Sequence, residues 1–319
     1  MNIKSEEGKM MPEERSEKQR QQDSLKGKIR RLAGESAIDE LRFIDADPFA
    51  PLDTYAGRQP GDLLLGARSI IIAGIYIGAF TLPGWDDGNH AMTSRLTLSG
   101  FYFNVVDPLV PIQEYLIGKG YRAIVADGFN ESACIPLKPA AERAGLGWIG
   151  KNTLLLNEKY GSWLAIGAII TDADLAEINP RVEPRCGSCT NCMAVCPMGA
   201  LEKPAELNRQ RCLSHLLEED EAPESALAAS GTYIVECDLC QNSCPWNSQH
   251  RIKPLETARG KSFTGNSALL ELLHFDSLMA MSEADYQRQI LPNFSGITLS
   301  YKAFRRNLQA AYSRRQSSG

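Results

Sequence analysis

The sequence predicts an α+β protein in which a mixed domain of helices and strands precedes a small cysteine-rich module. Short runs rich in β-branched residues alternate with amphipathic segments through the first half of the chain. Eight of the nine cysteines fall between positions 186 and 244, and a segment with helical periodicity follows them. We therefore expect a disordered charged tail over 1–24, an α+β domain over 25–180, a cysteine module over 181–250 and a helical segment over 251–319.

The mixed domain is predicted to begin with a helix from Leu25 to Leu41, because Ile29, Leu32 and Ala33 share one face. Residues 43–62 contain three prolines and are predicted to be irregular. The remaining elements of this domain are predicted as strands over 67–77, 121–127 and 163–171, and as helices over 105–119 and 136–144. Gly120 is placed to end the first of these two helices.

Two further regions are predicted to be helical. One is short, from Cys212 to Glu219, and the other runs from Ser267 to Arg315 with a loop near 292–296. Basic residues at 305–306 and 314–315 are compatible with a nucleic-acid or partner patch, and equally with a solvated helix face.

The bulk properties exclude a membrane protein. The most apolar stretch, 69–82, is shorter than a membrane-spanning helix and rich in β-branched residues, which predicts a buried strand and a loop. The N-terminus has no apolar signal region, so a cytoplasmic location is expected. A formal net charge of −5 gives no overall electrostatic reason for nucleic-acid binding.

The cysteines form two runs. The first reads C-x2-C-x2-C-x3-C-P from Cys186 to Pro197, and the second consists of Cys212 followed by a C-x2-C-x3-C-P run from Cys237 to Pro245. The first spacing is that of two-cluster bacterial ferredoxins, in which the fourth cysteine of each run binds the other cluster. One 4Fe–4S cluster is therefore predicted on Cys186, Cys189, Cys192 and Cys244. The other is predicted on Cys212, Cys237, Cys240 and Cys196.

The spacing of these cysteines fits zinc sites and disulfides less well than it fits iron–sulfur clusters. Zinc also binds C-x2-C pairs, but it does not require the C-x3-C-P ending twice. Disulfides do not suit clustered cysteines in a chain without a secretory signal. The ninth cysteine, Cys134, is read either as inert packing or as a reactive thiol.

A glycine-rich segment precedes the cysteines, with the sequence AGLGWIGKNT over 144–153. Glycines at this density allow the backbone to approach a large ligand closely. The spacing does not fit a Walker A loop, and the G-x-G-x-x-G letters at 145–150 follow a predicted helix rather than a strand. Gly161 and Ser162 either bring backbone near a ligand or form a hairpin turn.

Together these segments resemble the epoxyqueuosine reductase family. The resemblance rests on AGLGWIGKNT at 144–153, YGSW at 160–163, ITD at 170–172 and CDLCQNSCPWN at 237–247, with the remaining cysteines. It covers about residues 25–315 and is strongest over 144–247. It implies a nitroreductase-like domain that binds cobalamin beside one of two 4Fe–4S clusters, followed by a ferredoxin-like module. It also implies an electron donor of the flavodoxin or ferredoxin type and reduction of epoxyqueuosine in tRNA.

The resemblance also implies site residues. Cobalamin binding is expected from Arg58, Lys138, Gly147, Lys151, Asn152, Gly161, Ser162, Ser214 and Gln241. Glu131 takes the position of the family's proton-donating aspartate, and Tyr102 is a second candidate proton donor. Phe101 and Phe103 replace polar residues of the family, and the further C-terminal helical-repeat domain that many members carry is expected to be absent. We therefore expect an organic substrate of unknown identity, with tRNA possible but disfavoured.

Three functional hypotheses follow. The leading one is a cobalamin-dependent reductase in which electrons pass through two clusters to the corrinoid. The alternative is a two-cluster electron-transfer protein that serves a partner, such as a corrinoid enzyme, and has no substrate of its own. A flavin in place of cobalamin is the third.

Overall fold

The computed structural model confirms the predicted mixture of helices and sheet. It describes residues 12–50, 59–78, 87–99, 105–126, 135–248, 267–294 and 299–317. None of the helices in these ranges is long and apolar enough to cross a membrane.

Four antiparallel strands form the central sheet in the order β1–β2–β6–β3. Their bounds are β1 Glu40–Asp45, β2 Ser69–Tyr76, β6 Leu164–Thr171 and β3 Ala123–Ala126. The two central strands pair along their whole length, from Ser69 opposite Thr171 to Tyr76 opposite Leu164. Every residue of β2 is buried, since the sheet is covered on both faces. The strands predicted over 67–77, 121–127 and 163–171 are confirmed.

The N-terminal region differs from its prediction. Helix α1 spans Pro12–Glu35, so the tail predicted over 1–24 is helical from residue 12, and the helix predicted to reach Leu41 ends six residues earlier. Charge content alone does not separate a solvated helix from a disordered tail, because Glu, Lys, Gln and Arg are good helix formers. Ala37 then adopts a left-handed φ of 62°, and Asp39 begins the pairing with β2.

Strand β1 was therefore missed, in a region predicted to be helical and then irregular. Short helix α2 (Pro60–Leu63) also lies in the segment predicted to be irregular. Helices α4 (Val110–Gly118) and α5 (Leu137–Arg143) confirm the two helices predicted over 105–119 and 136–144. Gly120, with φ +87°, follows α4 as predicted.

The main core lies between the sheet and helices α1, α4 and α5. Ile29 of α1, Ile112 of α4 and Ala140 of α5 are fully buried in it. This packing positions α5 and the glycine-rich segment that follows it. That segment forms a small hairpin of β4 (Trp148–Ile149) and β5 (Leu155–Leu156).

The cysteine module consists of short helices joined by loops. They are α6 Asn191–Val195, a 3₁₀ turn Arg209–Arg211, α7 Leu213–Glu218, α8 Glu224–Ala229, α9 Leu239–Asn242 and a 3₁₀ turn Pro245–Asn247. Helix α7 confirms the helix predicted over 212–219. Helix α3 (Arg95–Leu98), which precedes α4 in the chain, contacts this module through the backbone N–H of Arg95, which donates to Asp238.

The C-terminal segment is helical, as predicted. It contains α10 Ser267–Leu272, α11 Phe275–Ala280, α12 Glu283–Asp285, a π-helix Tyr286–Ile290, a 3₁₀ turn Leu291–Asn293 and α13 Tyr301–Ser317. These helices share a second core with Ile234 and Val235 of the cysteine module. Asn307 of α13 is fully buried and donates to the carbonyl oxygens of Leu217 and Ile234.

The basic residues of α13 contact the rest of the chain. Arg306 donates to the carbonyl oxygens of Glu219 and Asp220 at 2.9 and 2.6 Å. Arg305 donates to the carbonyl oxygens of Leu278 and Met279 near the end of α11, and Arg315 donates to Oδ1 of Asn89. These guanidinium groups therefore fasten α13 to its neighbours.

Candidate functional site

The first of two cavities in the cysteine module gathers cysteines from both runs. Its volume is about 210 Å³, and the thiols that line it are Cys186, Cys189, Cys192 and Cys244. Burial raises the pKa of the Cys192 thiol, and the neighbouring Cys186 and Cys189 raise it further. Burial also raises the pKa of Cys244, with a further contribution from Cys186 and Cys192. The four cysteines predicted for one cluster thus surround one cavity.

The second cavity, also of about 210 Å³, is lined by Cys196, Cys212, Cys237 and Cys240. Burial raises the pKa of Cys237 to about 12, and Asp238, Cys212 and Cys196 contribute in the same direction. These are the four cysteines predicted for the other cluster. In the described part of the chain, no group of three or more His, Cys, Asp or Glu side chains is close enough to surround a single metal ion.

The local fold turns these thiols toward the cavities. Cys192 lies in α6 and Cys240 in α9, while Cys212 is the residue that precedes α7. The backbone N–H of Ala200 donates to Sγ of Cys196 at 3.2 Å. This hydrogen bond helps to fix the orientation of the Cys196 side chain.

Asn152 lines both cavities and is only 4% exposed. Its Oδ1 accepts from the backbone N–H of Leu154 at 3.3 Å. Its Nδ2 has no hydrogen-bond acceptor among the residues that the structure describes. Buried polar groups in folded proteins nearly always have a partner. An amide donor at the boundary of two four-cysteine cavities therefore fits iron–sulfur clusters, whose sulfur atoms accept hydrogen bonds.

The two lysines implied as cofactor ligands donate to backbone carbonyls. Lys151 Nζ lies 2.7 Å from the carbonyl oxygen of Gly187 and 2.8 Å from that of Cys189. Lys138 Nζ lies 3.0 Å from the carbonyl oxygen of Thr153. Lys151 thus holds the loop between the first two cysteines against the β4–β5 hairpin.

The two glycines expected near the cofactor are required by packing within the protein. A Cβ atom at Gly147 would overlap the carbonyl oxygen of Leu156 in the hairpin. One at Gly161, where φ is +60°, would overlap Oδ1 of Asn247 and lie 2.7 Å from the carbonyl oxygen of Trp246. Neither glycine is among the residues lining the two cysteine cavities. At both positions the backbone closely approaches another part of the chain, and a role of either glycine in cofactor binding stays a prediction.

Ser162 and Gln241 contact each other. Ser162 Oγ donates to Gln241 Oε1 at 2.8 Å, and Gln241 Nε2 donates to Asp238 Oδ1 at 2.6 Å. Asn247 completes the network, because it donates to Ser162 Oγ and accepts from the backbone N–H of Ser162. Burial raises the pKa of Asp238 to about 7. This network joins Ser162, two residues before β6, to the helix that carries Cys240.

Asn247 and Asp238 were not among the residues predicted from the sequence. Asn247 lies in the CPWN ending of the second run, which was the available signal, and Asp238 lies between two cysteines of that run. Ser214 lines the second cavity, as do Asn152 and Gln241. The remaining predicted residues, Arg58, Tyr102 and Glu131, lie outside the described residues, and so does Cys134.

The cysteine module matches a known domain family. A family described as a 4Fe-4S double cluster binding domain matches residues 185–247. This range coincides with the module that the cysteine spacing delimits and supports the binding of iron–sulfur clusters.

Curated relatives are epoxyqueuosine reductases. One from Aliivibrio fischeri is 36% identical over 197 residues, which are 60% of this chain and 52% of the relative. One from Synechocystis sp. is 31% identical over 232 residues, which are 72% of this chain and 78% of the relative. The chain therefore spans about half the length of the first relative and about four-fifths of the second.

Solved structures share the fold. A crystal structure of an epoxyqueuosine reductase superposes with a TM-score of 0.76 at 23% identity, covering 93% of this chain and 83% of the other. An epoxyqueuosine reductase with a tRNA-Tyr epoxyqueuosine-modified tRNA stem loop gives 0.75 at 24% identity, covering 92% and 82%. A catabolic reductive dehalogenase gives 0.50 at 18% identity, covering 86% of this chain and 37% of the other.

Proposed function

This chain belongs to the epoxyqueuosine reductase family, and on that premise we propose that it is a reductase that uses two 4Fe–4S clusters to deliver electrons to a bound corrinoid. The observation that carries the proposal is the division of eight cysteines into two cavities that share one lining residue, Asn152. A 4Fe–4S cubane needs four thiolate ligands, and each cavity supplies four.

The cluster ligands would be Cys186, Cys189, Cys192 and Cys244 in the first cavity, and Cys196, Cys212, Cys237 and Cys240 in the second. Burial raises the pKa of several of these thiols, so metal binding would displace their protons. Because one asparagine side chain borders both cavities, the two clusters would lie close enough for direct electron transfer between them.

Cobalamin is the cofactor that the family resemblance implies for the α+β domain, which we take to be nitroreductase-like and to extend to about residue 180. When bound, it would supply a low-potential cobalt centre for reduction of the substrate. Of the residues assigned to it, Ser214 and Gln241 border only the second cavity, Lys151 borders only the first, and Asn152 borders both. We therefore place the cobalamin site beside the second cluster, with a flavodoxin- or ferredoxin-type donor serving the first.

The substrate end of the site is expected to differ from that of the tRNA-acting relatives. Glu131 stands where the family has an aspartate, and its longer side chain moves the carboxyl group by about 1 Å, a displacement that matters for proton transfer. Phe101 and Phe103 flank Tyr102 where the family has polar residues. We propose Glu131 or Tyr102 as the proton donor to an organic substrate that is less polar than the tRNA nucleoside.

Anaerobic purification followed by reconstitution with iron, sulfide and hydroxocobalamin tests this function. We expect about eight irons per chain, two cluster signals by electron paramagnetic resonance, and a stoichiometric corrinoid spectrum that stays with the protein during gel filtration. Clusters without retained corrinoid would overturn the reductase proposal in favour of an electron-transfer protein. A flavin spectrum in the purified protein would replace cobalamin by flavin.

A further inference from the structure

Asn152 occupies a position that no other described residue shares, on the boundary between the two four-cysteine cavities. Lys151 and Leu156 border only the first cavity, and Thr153 and Leu154 border only the second. The carboxamide of Asn152 is therefore the part of the hairpin that can reach a group in either cavity.

The orientation of this carboxamide is fixed by its surroundings. Oδ1 accepts from the backbone N–H of Leu154, so the reverse orientation would set two N–H donors against each other. A Cβ atom at position 150 would lie 2.8 Å from Oδ1, so Gly150 leaves room for the side chain. Thr153 takes a left-handed φ of 65°, a strained conformation of the kind found at functional sites.

The remaining donor, Nδ2, is buried and has no acceptor in the described part of the chain. Each neighbouring cavity is lined mainly by thiols and apolar side chains. A 4Fe–4S cluster bound in either cavity would present its sulfur atoms to this donor as hydrogen-bond acceptors.

We propose that Asn152 Nδ2 donates a hydrogen bond to a sulfur atom of one of the two clusters and thereby raises the reduction potential of that cluster. This inference rests on the cluster part of the proposed function. Hydrogen bonds to cluster sulfurs are one of the determinants of cluster potential, because they stabilise the added negative charge of the reduced state. Asn152 would thus be a positioning residue that sets the driving force for electron transfer between the clusters.

Two substitutions separate this role from a structural one. Asn152→Asp keeps an oxygen for the Leu154 N–H but loses the donor, and Asn152→Leu removes both while keeping a similar volume. We expect both variants to retain two clusters and to lower the midpoint potential of at least one of them. The expected change is about tenfold in the reduction equilibrium, or about 59 mV for a one-electron couple. The measurement is a potentiometric titration followed by electron paramagnetic resonance.

Asn157→Asp is the matched control. Asn157 is also buried, but it borders neither cavity, and its Nδ2 already donates to the carbonyl oxygen of Leu146 at 2.7 Å. This variant should leave both potentials unchanged.

Unchanged potentials in both Asn152 variants, with clusters present, would overturn the inference. Loss of clusters in both variants would also overturn it, because it would show a structural role. A wild-type protein without clusters would overturn this inference together with the cluster part of the proposed function. A wild-type protein with clusters but no corrinoid would overturn the reductase proposal alone.

Discussion

The ammonium nitrogen of Lys151 lies 2.8 Å from the carbonyl oxygen of Cys189. The same group donates to Gly187, so one lysine holds two carbonyls of the loop that carries the first two cysteines. Hydrogen bonds from a charged donor contribute more than neutral ones. This contact therefore ties the first cysteine loop to the β4–β5 hairpin.

Lys151→Met should free this loop and weaken the first cluster. We expect iron content to fall from about eight toward about four per chain, with one cluster signal preserved. Lys302→Met is the control, because Lys302 of α13 forms an exposed ion pair with Glu221 and borders neither cysteine cavity. Full iron content in Lys151→Met after gel filtration would contradict this role.

Paired cysteine substitutions should reveal how the ligands are divided. Cys189 and Cys244 border one cavity, so Cys189→Ala combined with Cys244→Ala should lose one cluster, as each single variant does. Cys189→Ala combined with Cys196→Ala should lose both clusters, because Cys196 borders the other cavity. Iron analysis and electron paramagnetic resonance distinguish the two results.

Cys134→Ala is the control for this series and should leave the iron content unchanged. If the first pair loses both clusters and the second pair only one, the crossing of the fourth cysteines is wrong.

Gly161→Ala should destabilise the protein and reduce both iron and corrinoid retention. The left-handed φ at 161 costs a non-glycine residue about 1–3 kcal/mol, and the overlap with Asn247 adds a packing cost of about 1–3 kcal/mol. Thermal unfolding measures the sum.

Gly120→Ala is the matched control, because Gly120 has φ +87° but no atom lies within 4 Å of the position that a Cβ atom would take there. We expect it to show only the backbone cost. Equal unfolding temperatures for the two variants would mean that the contact between Gly161 and Asn247 does not contribute.

Glu218 should make stability fall as pH rises. Burial and then the charge of Glu236 raise the pKa of Glu218 from 4.5 to about 7 in the folded protein. The folded state therefore binds the proton more tightly than the unfolded chain does, and that stabilisation is lost as pH rises from about 4.5 through 7.

Glu218→Gln cannot ionise, so it should be more stable than the wild type at pH 8. The expected difference is on the order of 1–2 kcal/mol after allowance for partial exposure of the side chain. Thermal unfolding between pH 5 and 8 measures the slope, and Glu224→Gln changes an exposed carboxylate at the start of α8 as a control. A wild-type slope that matches that of Glu218→Gln would contradict the assignment.

Expression of this chain in a strain that lacks epoxyqueuosine reductase is expected to restore little or no queuosine. The reason is the combined change at Glu131, Phe101 and Phe103. Loss of a well-placed general acid costs about 10²–10⁴ in rate. Nucleoside analysis of the tRNA gives the result, and Glu131→Asp tests whether the shorter acid recovers activity. Full restoration by the wild-type chain would show that Glu131 performs the aspartate's role.

The cysteine module could be predicted from the sequence because the spacing between its cysteines is a local property of the chain. The spacing between cysteines fixes which thiols can share a cubane, so the division between Cys196 and Cys244 followed from the pattern alone. The central strands were predicted for a similar reason, since a run such as 69–76 is rich in β-branched residues, which favour a buried strand. Strand β1 was missed because its pairing partner lies about 30 residues away and the helical pattern before it hid the end of α1.

For Gly147 and Gly161 the sequence predicted the close approach but could not identify the approaching group. Their pattern indicated a close backbone approach, and the structure has one at both Gly147 and Gly161. The identity of the approaching group depends on contacts with Leu156 and Asn247, and the second of these lies 86 positions away from Gly161. The spacing of residues in the sequence carries no information about such a partner. A glycine is therefore expected at such a position whether the approaching group belongs to a ligand or to the protein itself.

The crossing of the fourth cysteines also constrains biosynthesis. A ribosome that has released residues 1–240 has delivered all four thiols of the second cavity but only three of the first. The first cavity receives its last thiol only when Cys244 emerges, four residues after Cys240 has completed the second. The thiol set of the second site is therefore complete before that of the first during synthesis.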